Sequence, residues 1–138
     1  MPEFSNLQVG QVVAESEFPI TRDSLVRYAG ASGDFNPIHY REDVAKQVGL
    51  PGVLAHGMLT MGLSIQPVIA WLEGKGEVVD YSVRFTKPVV VPPQGEAVVS
   101  VVATVAALDE ENSRVRVDLT TTFEGNTVLG KAQAWVKF

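Results

Sequence analysis

A carboxylic acid and an imidazole, Asp34 and His39, lie five positions apart in a segment that is rich in turn-forming residues. Gly33 precedes them, and Asn36 and Pro37 lie between them. Proline fixes its own φ and favours an extended conformation in the residue before it, so a loop is predicted here and not one face of a helix. We expect Asn36 and Gly33 to support this loop. A loop of this kind can hold an acid and an imidazole on either side of one water molecule, as general acid–base catalysis requires.

The same pair has a purely structural alternative. Asp34 could simply close an Asx-turn, and His39 could simply be a hydrogen-bonded imidazole at the start of the next helix. Composition and spacing do not separate the two interpretations, because a short motif is by itself only a hypothesis.

A second candidate motif, Ala55-His56-Gly57-Met58, opens a long apolar segment. The first N–H groups of a helix have no partner within the helix and carry a partial positive charge, so an N–H near Gly57 can receive a carbonyl oxygen. Glycine also permits close approach of a ligand. His56 is predicted to have a structural role, as a hydrogen-bonded group that supports the site.

The elements that must position these residues begin with a strand and a short helix. Residues 10–20 alternate in part and contain a proline near the end, which predicts a first strand at a sheet edge. Thr21 is the predicted N-cap of a helix over 22–28, which Gly30 and Gly33 end.

Two further helices are predicted after the dyad loop. The first covers 42–49, with Val44 and Val48 on one face and Gly49 at the C-terminal cap position. The second covers 56–73 and is apolar on nearly every side, so it must be wrapped by other parts of the chain.

Four strand-like segments complete the chain, and turn residues of hairpin length separate the last three, which should therefore be antiparallel. They cover 77–85, 96–108, 113–123 and 127–138. The predicted fold class is α+β, with a curved antiparallel sheet around the long apolar helix.

Composition narrows the function classes. The chain has 138 residues, 46% of them hydrophobic, and is predicted to form a single domain over 1–138. The absence of cysteine excludes disulfides and thiolate chemistry. Two histidines seventeen positions apart, without a helix-spaced carboxylate, do not form a recognisable ligand set, so no metal site is predicted. A net charge of −5 without clustered basic residues argues against a nucleic-acid partner.

Two expectations concern location. The first ten residues lack a basic segment followed by an apolar core, from which we expect a cytoplasmic protein. The only candidate membrane span, 53–72, contains polar residues and two glycines without a basic flank, and a buried helix accounts for it better.

The sequences of these motifs resemble those of a known family. GDFNPIH followed by AHGMLTMG, with LVRYAG before and YSVRFTKPVVVP after, is similar to the MaoC-like (R)-specific enoyl-thioester hydratases and dehydratases of the hotdog fold, and the likeness covers most of residues 20 to 92. The resemblance implies reversible addition of water to a trans-2-enoyl thioester, giving the (3R)-3-hydroxyacyl thioester. It implies Asp34 and His39 as the dyad that holds the water, and Gly57 as the oxyanion site. Some members carry a serine later on the long helix; Ser64 falls one position early and is left out of the predicted site.

The resemblance also implies partners. The substrate would be a small acyl thioester or an acyl-carrier protein, so coenzyme A or phosphopantetheine belongs to the substrate and no separate cofactor is expected. Two sheets would join edge to edge, in a homodimer or in a heterodimer with a related hotdog subunit. Arg84 and Lys87 are candidate phosphate contacts among scattered basic residues, each with the alternative of being solvated surface charge.

Two other functions remain open. A thioesterase of the same fold would direct water at the carbonyl carbon, and a non-catalytic subunit would only bind the acyl group.

Overall fold

Five antiparallel strands and three α-helices form the described part of the chain, residues 2–138, in a computed structural model. The strands are β1 (Val12–Ile20), β2 (Glu77–Phe85), β3 (Ala97–Asp109), β4 (Arg114–Phe123) and β5 (Asn126–Lys137). The helices are α1 (Arg22–Ser32), α2 (Glu42–Gln47) and α3 (Gly57–Leu72), with short 3-10 helices at Phe4–Asn6 and Pro37–His39.

The strands form one sheet in the order β1-β3-β4-β5-β2. The two tight turns β3–β4 and β4–β5 make antiparallel hairpins, as predicted. β2 does not pair with the strand that follows it. It crosses to the far edge and pairs with β5, which leaves β1 and β2 as the two edge strands.

Alternation along the strands builds the core. Every second side chain of β4 from Val115 to Thr121 is buried, as are the matching positions of β3 and β5, because successive side chains point to opposite faces of a sheet. α3 packs across this buried face and contacts β1, β2, β3 and β4. The predicted fold class, an α+β domain with an antiparallel sheet around a long apolar helix, is confirmed.

The sheet covers only one side of α3. Thr60, Ser64 and Val68 face the sheet and are buried, whereas Met58 and Ile69 are 58% and 49% exposed on the opposite side. The apolar circumference of this helix therefore leaves a partly exposed apolar surface in the single chain. No helix among the described residues is long and apolar enough to cross a membrane.

The structure corrects two helix predictions. α1 continues through Gly30 to Ser32, and only Gly33 ends it, with φ 76° and its N–H bonded to the Ala29 carbonyl at 2.9 Å. Glycine costs about 1 kcal/mol inside a helix but does not stop it, whereas a left-handed residue does. In α2 the buried residue is Ala45, and Val48 is exposed, since this six-residue helix contributes only one position to the core.

Candidate active site

Two consecutive Asx-turns shape the dyad loop. Asp34 Oδ1 accepts a hydrogen bond from the Asn36 N–H at 3.1 Å, and Asn36 Oδ1 accepts one from the Ile38 N–H at 3.2 Å. The second of these caps the 3-10 helix Pro37–His39. Together with the left-handed Gly33, they turn the chain so that Asp34 and His39 face each other across the loop.

His39 has one committed nitrogen and one free nitrogen. Its Nδ1 lies 2.8 Å from the Leu54 carbonyl oxygen. A carbonyl can only accept, so Nδ1 carries the proton and the neutral ring has its lone pair on Nε2. That Nε2 lies 3.9 Å from Asp34 Oδ2, too far for a direct hydrogen bond. His39 is 8% exposed, whereas half of the Asp34 side-chain surface is exposed.

The Asx-turn interpretation of Asp34 is confirmed, and its catalytic interpretation stays a prediction that the free Oδ2 permits. Oδ1 closes an Asx-turn, as in the structural alternative, while Oδ2 is left to face the imidazole. The turn is what aims the second oxygen.

His56 supports both members of the pair. Its Nε2 lies 3.1 Å from the Asp34 carbonyl oxygen, and its ring stacks on that of His39 with centroids 3.8 Å apart and planes 21° apart. The rings of Tyr28 and His56 are in a T-shaped arrangement, with centroids 4.7 Å apart and planes at 60°. Burial lowers the pKa of His56, and the neighbouring His39 lowers it further, while the Asp34 carbonyl and carboxylate act in the opposite direction. These contacts agree with the structural role predicted for His56.

A cleft of about 470 Å³ opens beside the pair. Asp34, His39 and Gly57 line it together with mainly apolar residues. The remaining lining residues are Leu54, Ala55, Met58, Thr60, Phe85, Thr86, Lys87, Pro88, Val89, Val128 and Leu129. The two dyad residues thus face a mainly apolar volume that is large enough for a small acyl group.

The start of α3 contributes free backbone donors to this cleft. The N–H groups of Leu59 and Thr60 both bond to the His56 carbonyl, whereas those of Gly57 and Met58 have no acceptor within residues 2–138. A Cβ on Gly57 would lie 2.9 Å from the Phe85 ring, so glycine is what allows the ring to lie against the helix start.

The two candidate phosphate contacts, Lys87 and Arg84, lie in different places relative to the cleft. Lys87 lines the cleft, and its Nζ bonds to Asn126 Oδ1 at 3.1 Å. Arg84 does not line the cleft. It lies on β2 one position before Phe85, which does, and adjacent strand residues point to opposite faces. Both phosphate contacts stay predictions, and the position of Lys87 at the cleft favours it over Arg84.

Ser64 lies away from the pair. It is fully buried, donates to the Thr60 carbonyl at 2.7 Å and accepts from Thr121 Oγ1 at 3.1 Å. This hydroxyl pair joins α3 to β4, which agrees with leaving Ser64 out of the site.

Spacing alone did not predict that both histidines would lie beside Asp34. One potential ligand atom from each of Asp34, His39 and His56 lies within 4.8 Å of the others. The geometry does not favour a metal, because the two stacked rings direct their in-plane lone pairs along nearly parallel planes. Metal ligands must converge on one point.

A comparison with protein families now decides the relationship. Residues 4–123 match the model of the MaoC like domain. The chain belongs to this MaoC-like family. Among curated relatives it is 32% identical over 135 residues to the (R)-specific enoyl-CoA hydratase of Rhodospirillum rubrum, covering 96% of this chain and 90% of that protein. It is 46% identical over 74 residues to 3-hydroxyacyl-thioester dehydratase X of Mycobacterium tuberculosis, covering 53% of this chain and 25% of that protein.

Solved structures support the same relationship. The chain superposes on a MaoC-like dehydratase with a TM-score of 0.94 and 37% identity, over 99% of this chain and 42% of the other. It superposes on the (R)-hydratase from A. caviae with a TM-score of 0.84 and 26% identity, over 96% and 98%. The MaoC-like chain thus spans a quarter of one curated relative and nearly all of another. The predicted family and its hotdog fold are confirmed, and the predicted class, a hydro-lyase, is the one that these relatives' names carry.

Proposed function

We propose that this chain catalyses the reversible hydration of trans-2-enoyl thioesters to (3R)-3-hydroxyacyl thioesters in fatty-acid metabolism, with Asp34 and His39 acting on the water. The observation that carries the proposal is the 3.9 Å separation of Asp34 Oδ2 and His39 Nε2 at the wall of a mainly apolar cleft. Membership in the MaoC-like family supports the reaction class.

The separation suits a shared water. Two atoms 3.9 Å apart can each lie about 2.8 Å from one water oxygen, and the angle between the two hydrogen bonds at that oxygen is then roughly 90°. Because the Nδ1 proton of His39 is bonded to Leu54, only Nε2 can exchange a proton with that water. The water oxygen bonds to the β-carbon, one water proton passes to the pair, and one proton passes from the pair to the α-carbon. The net change is the addition of one water, and correct placement of such groups contributes about 100-fold to 10,000-fold in rate.

The free N–H groups of Gly57 and Met58 supply the electrophilic part of the site. A thioester carbonyl bound there would have the negative charge that develops on its oxygen stabilised by two amides and by the positive end of α3. One preorganised donor of this kind is worth roughly 3 to 4 kcal/mol in acyl chemistry. The reacting carbons would then lie between the helix start and the dyad.

The part of the substrate that carries the acyl group would bind through its phosphates. We assign Lys87 to a phosphate of coenzyme A or phosphopantetheine, since it lies at the cleft and its ammonium is bonded to a neutral amide, which leaves the positive charge uncompensated. The thioester is part of the substrate, and the proposed steps require no additional cofactor.

A second hotdog chain is the proposed partner. β2 is an edge strand with one unpaired side, and Val79 and Phe85 on it are exposed, as are Met58 and Ile69 on α3. Open strand edges pair readily with another chain, and a contiguous apolar surface is unfavourable in water. Either an identical chain or a related subunit would cover this surface.

The test is hydration of crotonyl-CoA by the purified chain, followed by the loss of enoyl absorbance, with the acyl length varied and the configuration of the product determined. We expect the (3R) product. Turnover only after a related hotdog subunit is added would establish a heteromer, and sedimentation would give the stoichiometry.

Two results would replace the proposal. Release of free thiol from saturated acyl-CoA faster than enoyl hydration would make the chain a thioesterase. Binding of acyl-CoA without either reaction, alone and with a partner, would make it an acyl-binding subunit.

A further inference from the structure

One side chain contacts both members of the dyad and lies outside the cleft. His56 is 1% exposed, donates from Nε2 to the Asp34 carbonyl and lies flat against the ring of His39. It does not line the cleft, so it touches neither substrate nor water in the proposed reaction. Any effect that it has must pass through Asp34 and His39.

The contacts of His56 define its protonation. The Asp34 carbonyl can only accept, so Nε2 carries the proton and Nδ1 of the neutral ring holds a lone pair. Nδ1 is buried and has no hydrogen-bond partner within the described chain. Protonation would therefore create a buried N–H without an acceptor, which costs the desolvation of that group, and would place a positive charge against His39.

We propose that His56 is an uncharged positioning residue that holds the backbone of Asp34 and the ring plane of His39 in the reactive arrangement. The inference rests on the proposed function, because the arrangement it maintains is the one that places a water between the two side chains. The hydrogen bond restrains the acid, and the stacked ring restrains the base.

The absence of charge on His56 is part of the role. When His39 Nε2 takes a proton from water, the imidazole becomes a cation 3.8 Å from the ring of His56. A neutral ring face tolerates that cation, whereas a second imidazolium would repel it. The titratable groups in contact with His56 are Asp34, His39 and Tyr28, and a carboxylate is the only one of these group types that is ordinarily anionic near neutral pH. The burial that lowers the pKa of His56 acts in the same direction.

Two substitutions separate the two contacts. His56→Phe keeps a ring against His39 and removes the donor, while His56→Gln keeps a donor for the Asp34 carbonyl and removes the ring. We expect each to lower kcat by about 10-fold to 100-fold, because displacements of about 1 Å at reacting groups have effects of this size, with KM changed by less than about twofold. Thr121→Val is the control, since it breaks a buried hydroxyl pair with Ser64 in which neither residue lines the cleft, and it should leave kcat unchanged.

A spectroscopic readout separates positioning from general stability. The chain contains only two histidines, so heteronuclear NMR that correlates ring nitrogens with ring protons gives two ring systems, which the His56→Phe spectrum assigns. In the wild type we expect His56 to keep its proton on Nε2 and to remain neutral from about pH 8 to about pH 6, where an ordinary histidine titrates. In both variants the ring shifts of His39 should change, and in Thr121→Val they should not.

The outcomes are distinct. A proton on Nδ1 of His56, an ordinary titration of that ring, or wild-type kcat in both variants would overturn the inference. If a variant fails to fold, the wild-type spectrum still decides the tautomer and the charge. If the wild type hydrates no enoyl thioester, the proposed function fails, while unchanged His39 shifts in the folded variants would separately refute the positioning role.

Discussion

Replacing Asp34 with asparagine should remove most of the enoyl hydration and leave the fold intact. Asparagine keeps an oxygen that can accept the Asn36 N–H, a bond of 3.1 Å in the native loop, so the Asx-turn persists. The other carboxylate oxygen becomes an amide NH₂. That group faces His39 as a donor and can no longer accept a proton from the shared water.

The size of the effect follows from these roles. Loss of one member of an acid–base pair removes about 100-fold to 10,000-fold of rate, which is roughly 2.7 to 5.5 kcal/mol of transition-state stabilisation at about 1.36 kcal/mol for each factor of ten. The effect on folding should be far smaller. The side chain is half exposed and lies 3.9 Å from His39 Nε2, and even a full ion pair at an exposed position contributes only about 0 to 1 kcal/mol.

The assay compares kcat/KM for crotonyl-CoA with the unfolding midpoint of the same preparations. Asp43→Asn is the matched control, because it makes the same chemical change nine positions later on an exposed carboxylate that pairs with Arg41 and lies outside the cleft. Retention of more than about a tenth of the activity in Asp34→Asn, or an equal loss in Asp43→Asn, would refute the acid–base role of Asp34.

Three further predictions concern binding and stability. Lys87→Met should raise KM for crotonyl-CoA about fivefold to tenfold with kcat unchanged, as expected for loss of a charge-assisted contact made equally in the ground and transition states. The KM for crotonyl-N-acetylcysteamine, which has no phosphate, should not change. Arg84→Met should leave KM unchanged for both substrates. Tyr81→Phe should lower the free energy of unfolding by about 1 kcal/mol with kcat retained, because it removes the 2.7 Å bond from the phenol to the Met61 carbonyl that joins β2 to α3. In the wild type, burial raises the pKa of Tyr81 to about 12, and ultraviolet titration should lose this late ionisation in the variant. Because the folded state lowers the pKa of His56, the unfolded chain binds more protons below about pH 6.5, and the free energy of unfolding should fall as the pH falls through that region. Chemical denaturation of His56→Phe at several pH values should lack this part of the pH dependence. An unchanged pH dependence would contradict the lowered pKa of His56.

Local patterns predicted most of the elements. The bounds of the last four strands agree with the structure to within one residue, since alternation and turn residues act over short distances. The dyad loop was equally local, because Asn36 and Pro37 impose their geometry on immediate neighbours. The single-domain assignment over 1–138, the cytoplasmic location and the absence of a metal stay predictions.

Long-range placement was not predictable from the same patterns. The pairing of β2 with β5 depends on a crossover over the sheet and has no signal in the strand itself. The stacking of His56 on His39 joins residues seventeen positions apart and depends on where α3 starts relative to the loop. The sequence offers Lys87 and Arg84 as equal candidates for a phosphate contact. Only the three-dimensional path of β2 and of the segment after it shows that Lys87 lines the cleft and Arg84 does not.

The start of α3 links the support of the dyad to the binding of substrate. His56 is the N-cap residue of this helix, yet its side chain makes no capping hydrogen bond. A serine, threonine or aspartate at this position would fold back onto the first amides and stabilise the helix by about 1 kcal/mol. His56 instead directs its N–H away from the helix to the Asp34 carbonyl, so the amides of Gly57 and Met58 stay available to a ligand. In the proposed mechanism, the same choice of residue leaves the oxyanion donors open and restrains the acid opposite them, which accounts for one buried imidazole between the two halves of the proposed site.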